Sequence, residues 1–338
     1  MRLAAAEWWT KILMPAPKLL VRVYRGKAVE SEHYGHVVVA DRTGAIRLQI
    51  GDAATRVYLR SAAKPVQAIP AIEHGVPEAF GFSESEMALT CASHNGEPFH
   101  AETAASMLKK IGLSEQYLQC GIHRPLGIDP GVVPETGQYS VLQNNCSGKH
   151  SLMLAACVQA DLPLNSYLSP DHPHQIRIRN CLADYGNLPV DDIQVGIDGC
   201  SAPVFNMPLC NLATVYAKLA DRKLSGYKCF KYMTAHPEMV GGTGRFDTVF
   251  MQATAGAAIA KIGAEGLQCV SVLSPEPLGI VVKISDGNNR AAPAVALAVL
   301  RKLGLLSHAA AQHLTAYFEP ELYNHRGIVI GKIAPAAI

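Results

Sequence analysis

The residues Tyr34-Gly35-His36-Val37-Val38-Val39-Ala40, then Asp41-Arg42-Thr43-Gly44, then Ala45-Ile46-Arg47-Leu48-Gln49-Ile50 decide the fold. The first limb is rich in valine, which favours a pleated strand. The last limb alternates Ile46, Leu48 and Ile50 with polar residues, the period of a strand with one buried face. Asp41, Thr43 and Gly44 between them are turn residues. Together they predict an antiparallel hairpin. Upstream, residues 19–24 read as another strand, and 56–59, 278–284 and 328–333 have the same character. The apolar run 87–92 reads as a short buried strand, and 195–200 as a strand running into a loop. Helices are predicted over 101–111, 209–219, 254–262 and 294–303, with another opening after the polar loop 144–149. The outcome is an α/β (α+β) fold whose antiparallel or mixed central sheet is flanked by helices.

The chain has 338 residues, 49% of them hydrophobic and 17% charged, enough apolar side chain for a sizeable core. Its formal charge is +2, and the basic residues are scattered, with no stripe of the kind a nucleic acid needs. A small-molecule partner is favoured. The nine cysteines show no disulfide spacing, as expected of a protein in a reducing cytoplasm. No run of about 18 apolar residues occurs, so no membrane span is expected. Residues 1–18 read as an N-terminal extension and 19–338 as a single domain.

Ser61 and Lys64 form an S-x-x-K at a predicted helix start, which sets both side chains on one face a turn apart. A serine hydroxyl needs a base to become a nucleophile, and a lysine kept neutral by burial can act as one. Backbone N–H groups at the helix start offer an oxyanion site. Most copies of this short motif are solvated surface, however, and the S-D-N and K-T-G companions of the penicillin-recognising enzymes are missing. Ser93, in Cys91-Ala92-Ser93-His94-Asn95-Gly96, suits a turn as readily as a site. Lys261 stands alone in an apolar stretch, where a lysine either snorkels outward or is retained for its chemistry.

Cys146 and Lys149 lie in Asn144-Asn145-Cys146-Ser147-Gly148-Lys149, and Cys200 ends Asp198-Gly199-Cys200. Two thiols are fewer than the four Cys or His ligands of a structural zinc site, and no C-x-x-C pair is present. On composition alone they read as buried structural cysteines. Gly148-Lys149 does not complete a phosphate loop, because Gln143 and His150 stand where glycine and a hydroxyl residue are required.

These segments together resemble the asparaginase II family, the rhizobial-type enzymes. The blocks that carry the resemblance begin with Arg60-Ser61-Ala62-Ala63-Lys64-Pro65, Cys91-Ala92-Ser93-His94 and Asn145-Cys146-Ser147-Gly148-Lys149-His150. They continue through Asp171-His172-Pro173, Asp198-Gly199-Cys200, His236-Pro237-Glu238-Met239-Val240, Lys261-Ile262-Gly263-Ala264 and Asp286-Gly287-Asn288. The resemblance implies a serine-β-lactamase-like fold, a homodimer, and hydrolysis of L-asparagine to L-aspartate and ammonia. It implies Ser61 with Lys64, and Ser93 with Lys261, as catalytic pairs. Cys146, Lys149 and Cys200 carry over as ligands of one zinc ion with a positional role. Arg60 and Asp198 match positions that hold the substrate's carboxylate and ammonium, with His150 a further contact. Family members can carry Gly-Glu-Gly-Arg where this chain has Gly242-Thr243-Gly244-Arg245, so Gly242 and Thr243 enter the expected substrate contacts without that carboxylate. Glutaminase or broader amidase activity, and a catalytically silent amino-acid-binding or β-lactam-binding protein, are the alternative readings.

Overall fold

The computed structural model describes residues 16–126 and 139–337. The extension read over residues 1–18 therefore lies mostly outside the described residues, and Lys18 already belongs to the first strand. In chain order the strands are Lys18–Arg25 (β1), Ala28–Asp41 (β2), Ile46–Ile50 (β3), Arg56–Tyr58 (β4), Gln194–Ile197 (β5), Pro203–Pro208 (β6), Ala258–Gly263 (β7), Leu267–Val272 (β8), Leu278–Ile284 (β9), Glu321–Tyr323 (β10) and Val329–Pro335 (β11).

The predicted hairpin forms between β2 and β3, with Val37 opposite Ile50 and Val39 opposite Leu48. Its turn is held by one carboxylate oxygen. Asp41 Oδ1 accepts from the Thr43 N–H, the Thr43 hydroxyl and the Ala45 N–H, while Gly44 takes the positive φ of 94°. β2 then organises the main sheet, whose lateral order is β10-β11-β1-β2-β9-β8-β7, with β3 alongside β2. Every pairing is antiparallel, so of the two sheet types predicted the antiparallel one is found. A separate small sheet runs β4-β6-β5.

All six residues of β8 are buried, which requires cover on both faces of the sheet. Part of that cover is the helix Leu209–Leu219, found where the apolar periodicity placed it, lying against β2 and β9. Its approach is set by Gly279, where an added Cβ would sit 1.8 Å from the Ala213 carbonyl oxygen. The helix Ala292–Lys302 covers β8 and β9 as well. Beside the sheet the helices Lys64–Glu73, Glu84–Thr90, Pro98–Lys110, Ser147–Gln159, Pro173–Gly186 and Gly226–Ala235 pack mainly on one another. An antiparallel sheet with covering helices and an adjoining helical cluster is the α/β architecture that the sequence predicts. No helix among the described residues is long and apolar enough to cross a membrane.

Two elements differ from the sequence reading. Residues 87–92, read as a strand, belong to the helix Glu84–Thr90 and the turn after it. Ser83 and Glu86 form a reciprocal capping box there, and that local device outweighs the strand-like apolar run. Residues 254–262, read as a helix, contain the end of the helix Phe246–Thr254 and then β7. Ala255 and Gly256 both adopt positive φ, which stops the helix and frees the chain to join the sheet edge. Lys261 is thus a strand residue.

Gly279→Ala should destabilise the protein by about 1–3 kcal/mol, because a methyl group there forces the helix off the sheet. A melting temperature equal to that of the parent protein would show that this contact does not set the spacing.

Candidate active site

The chain leaves β4 through Leu59, whose N–H donates to the Phe205 carbonyl, and enters a tight 3-10 turn, Arg60–Ala63, that runs into the helix Lys64–Glu73. Ser61 and Lys64 therefore sit at a helix entry, as predicted, but on a 3-10 turn. The Ala62 and Lys64 N–H groups are already bonded, to the Leu59 and Ser61 carbonyls, which weakens the case for a helix-start oxyanion site. Arg60 opens the turn at φ 49°, a left-handed conformation that costs a non-glycine residue on the order of 1 kcal/mol or more. The strained backbone sends its side chain across to Asp198, with Nε donating to Oδ1 at 2.6 Å.

Asp198 belongs to the turn after β5, closed by the Asp198 N–H to the Ala202 carbonyl and the Ser201 N–H to the Asp198 carbonyl. Burial alone would raise the Asp198 pKa, but Lys149 and Arg60 hold its carboxyl below the usual range. The same turn presents Cys200. Its thiol accepts from Lys149 Nζ at 3.2 Å, and Cys146 and Cys200 shift each other's pKa in opposite directions. Cys146 caps the helix Ser147–Gln159 and Lys149 lies in its first turn, so the three expected metal ligands converge although residues 146 and 200 are far apart in sequence. The hydrogen bond from Cys200 lowers the Cys146 thiol well below its ordinary value against the effect of burial, with Lys64 and Lys149 assisting. Burial would lower the Lys149 pKa, but Cys200, Cys146 and Asp198 raise it overall. Among the described residues no three His, Cys, Asp or Glu side chains converge to bind a metal. Two thiols and an amine do converge, and once the amine loses its proton they make a donor set suited to zinc.

Ser93 follows the helix Glu84–Thr90 on an irregular segment. Its N–H donates to the Val240 carbonyl, and its Oγ accepts from Asn145 Nδ2 at 3.2 Å. The Lys64 ammonium is buried and donates to the Ala92 carbonyl at 2.5 Å and the Asn145 carbonyl at 2.8 Å. Lys64, one turn from Ser61 in sequence, is therefore anchored on the segments that flank Ser93. Lys261 is fully buried on β7, its Nζ donating to the Ile262 carbonyl at 3.1 Å. Burial is the main cause that brings its pKa down to about 7, and Lys64 and Arg245 push the same way against Asp247.

A cavity of about 620 Å³ joins these parts. Ser61, Ser93, Asn145, Cys146, Asp198 and Arg245 are on its wall, and the edge strand contributes Ile262 and Gly263. Arg60 and Cys200 also reach it. His150, expected as a substrate contact, is fully buried and not on the wall. Its Nδ1 is hydrogen-bonded to the Tyr167 hydroxyl, which also accepts from the Gln119 N–H. Gly242 and Thr243 are not on the wall either, because Glu97 holds them: Oε1 accepts the Thr243 N–H and Oε2 its hydroxyl. Two residues on, Arg245 does reach the cavity. Sequence reasoning missed Asn145 and Arg245, although both stood inside the quoted blocks. A second cavity of similar volume lies elsewhere, but its Arg42, Arg47, Asp41 and Asp221 are paired among themselves.

A family model described as L-asparaginase II matches residues 21–335. Among solved structures the chain is similar to Mglu in its native form, at 14% identity and TM-score 0.42, covering 81% of this chain and 65% of that one. The chain thus spans just under two thirds of that protein. It is also similar to a Bacillus glutaminase, at 12% identity and TM-score 0.38, covering 80% of this chain and 91% of the other. A β-lactamase from Mycobacterium bovis gives 12% identity and TM-score 0.40, covering 79% and 94%. No curated protein matches the chain.

Folded Lys261 releases its proton near pH 7, whereas the unfolded chain retains it up to about 10.5, so the unfolded state binds more protons in that window. Stability should therefore rise with pH between those limits as the buried charge is lost. Lys261→Met removes the charge at every pH. Melted alongside the parent protein, it should gain most below pH 7, with its advantage shrinking as pH rises. A difference that stays flat with pH would show that Lys261 does not titrate there.

Proposed function

Since the chain belongs to the L-asparaginase II family and is an amidohydrolase, we propose that it hydrolyses the side-chain amide of L-asparagine to L-aspartate and ammonia. The observation that carries the reading is that Ser61 and Ser93 share one cavity wall, while Lys64, buried behind it, is bonded to the Ala92 carbonyl next to Ser93 and to the carbonyl of Asn145, whose side chain holds Ser93 Oγ. Two serines on one wall with lysines buried behind them suit proton transfer to and from an attacking serine.

In this reading one serine, Ser61 or Ser93, attacks the amide carbon, and its proton passes to the neutral amine of Lys261, with the Lys64 ammonium as its charged neighbour. The tetrahedral intermediate collapses as the lysine returns that proton to the departing nitrogen, releasing ammonia and leaving a serine ester. Water, deprotonated by the same base, cleaves the ester, and the serine recovers its proton. Lys261 is the better prepared base, since its pKa of about 7 leaves a large neutral fraction at neutral pH. Asn145 Nδ2, already donating to Ser93 Oγ, keeps that oxygen oriented. Asp198 on the cavity wall is the natural partner for the substrate ammonium.

Cys146, Lys149 and Cys200 are the residues that would hold the zinc ion. Bound there, zinc would supply a fixed positive centre that orients the turn carrying Asp198, the positional role of a metal. The chain's own part is to bring the helix start at Cys146 and the turn at Cys200 together, which the bond from Lys149 to Cys200 already does.

Ammonia release from L-asparagine, with L-glutamine run alongside, tests the reaction. Ser61→Ala and Ser93→Ala should each lower kcat by several powers of ten while keeping the parent melting temperature. Near-normal turnover in either variant would remove that serine from the mechanism. Metal analysis should find one zinc per chain in the parent protein and well below that in Cys146→Ser and Cys200→Ser, with KM for asparagine raised in both. Full zinc content in the cysteine variants would place the metal elsewhere.

A further inference from the structure

We propose that Arg245 is the residue that holds the α-carboxylate of the substrate, an inference that rests on the amide-hydrolase reading above. Arg60 faces the cavity already joined to Asp198 at 2.6 Å, and an ion pair has little net charge left for a second carboxylate. Arg245 lies on the same wall, and no carboxylate pairs with it among the described residues. Its one hydrogen-bonded acceptor is the neutral Asn95 Oδ1, at 3.0 Å from NH1. A guanidinium has five N–H donors in a planar fork, so this contact orients the group and leaves donors for a bidentate carboxylate.

Asn95 is itself fixed, its amide nitrogen donating to Glu97 Oε1 and to the Thr243 carbonyl, both at 3.1 Å. Glu97 in turn grips the Thr243 N–H and hydroxyl. The buried Glu97 thereby stands behind the Gly242-Thr243-Gly244-Arg245 segment and braces it, while the charge offered to the cavity is that of Arg245. Two backbone bonds, Ser93 N–H to the Val240 carbonyl and Asn95 N–H to the Gly241 carbonyl, stitch the Ser93 segment to the one that leads to Arg245. Tyr317 adds a third tie, its hydroxyl donating to the Gly244 carbonyl. Serine and guanidinium are therefore held at a fixed separation, as required to present an amide at a set distance from an α-carboxylate.

Calorimetric binding of L-aspartate and of its α-amide, which lacks only the α-carboxylate charge, tests this without turnover. The measurements are made on the parent protein and on Arg245→Gln, Arg245→Lys and Arg60→Gln, each checked by melting temperature. Arg245→Gln should weaken aspartate binding roughly 10- to 100-fold, the loss of a charge-assisted pair. Binding of the α-amide should hardly change, and Arg245→Lys should recover part of the loss. KM for asparagine should rise in parallel with the aspartate Kd, with kcat much less affected. An unchanged preference for aspartate over the α-amide in Arg245→Gln, with that preference lost in Arg60→Gln, would overturn the proposal and return the carboxylate to Arg60. No ammonia release by the parent protein, with the Arg245-dependent preference intact, would count against asparagine hydrolysis and leave the carboxylate site standing.

Discussion

The arrangement depends on one buried cation. The Lys64 ammonium is taken out of water at the start of its helix, and a charge so placed costs several kcal/mol unless acceptors surround it. Two backbone carbonyls supply the acceptors, Ala92 from one segment and Asn145 from another. Satisfying that single group ties the entry of the helix Lys64–Glu73 to the Ser93 segment and to the loop ahead of the helix Ser147–Gln159. Those three pieces bring Ser61, Ser93 and Cys146 to one cavity. An uncharged side chain at this position would leave the three segments without a common partner.

Once Lys64 has gathered these segments, hydrogen bonds of ordinary strength set their orientation. Val240 and Gly241 accept from the Ser93 segment, and Glu97, Asn95 and Thr243 form a closed network behind it. Such a network is worth more intact than in parts, because any unpaired member would be left buried. The turn at Asp198 is held differently, by the strained Arg60 reaching over to it and by the sulfur–amine cluster at Cys146, Lys149 and Cys200.

What the sequence made legible follows from the range of the forces involved. The hairpin at residues 34–50, the strand Leu278–Ile284 and the helix Leu209–Leu219 are written in local periodicity and turn chemistry, and they appear as read. The run at 87–92 misled because five apolar residues have the same appearance in a buried strand and a buried helix, and only the cap at Ser83 separates them. Lys261 misled because the alanines around it favour a helix, while Ala255 and Gly256 end one. The two serines, the lysines and the cysteines were legible as chemically unusual residues in ordered blocks. Asn145, Glu97 and Arg245 were not. An asparagine, a glutamate and an arginine carry no signal of their own, and their importance arises from contacts spanning 52 and 146 residues in sequence.

The cations at this site have a common electrostatic consequence. Lys64 and Arg245 both push the Lys261 pKa down, adding to the burial that already disfavours its charge. Positive groups that keep one lysine neutral also favour negative charge nearby. In amide hydrolysis the negative charge arises twice, on the oxyanion of each tetrahedral intermediate, and again on the carboxylate of the product. In the proposed reaction, the field that keeps Lys261 neutral would also stabilise the charge that a lysine base helps to create. A single cation could not do both, since a protonated Lys261 would stabilise the oxyanion and be unable to accept the proton. In the proposed reaction, dividing the work between a charged arginine, a hydrogen-bonded lysine and a buried neutral one would remove that conflict.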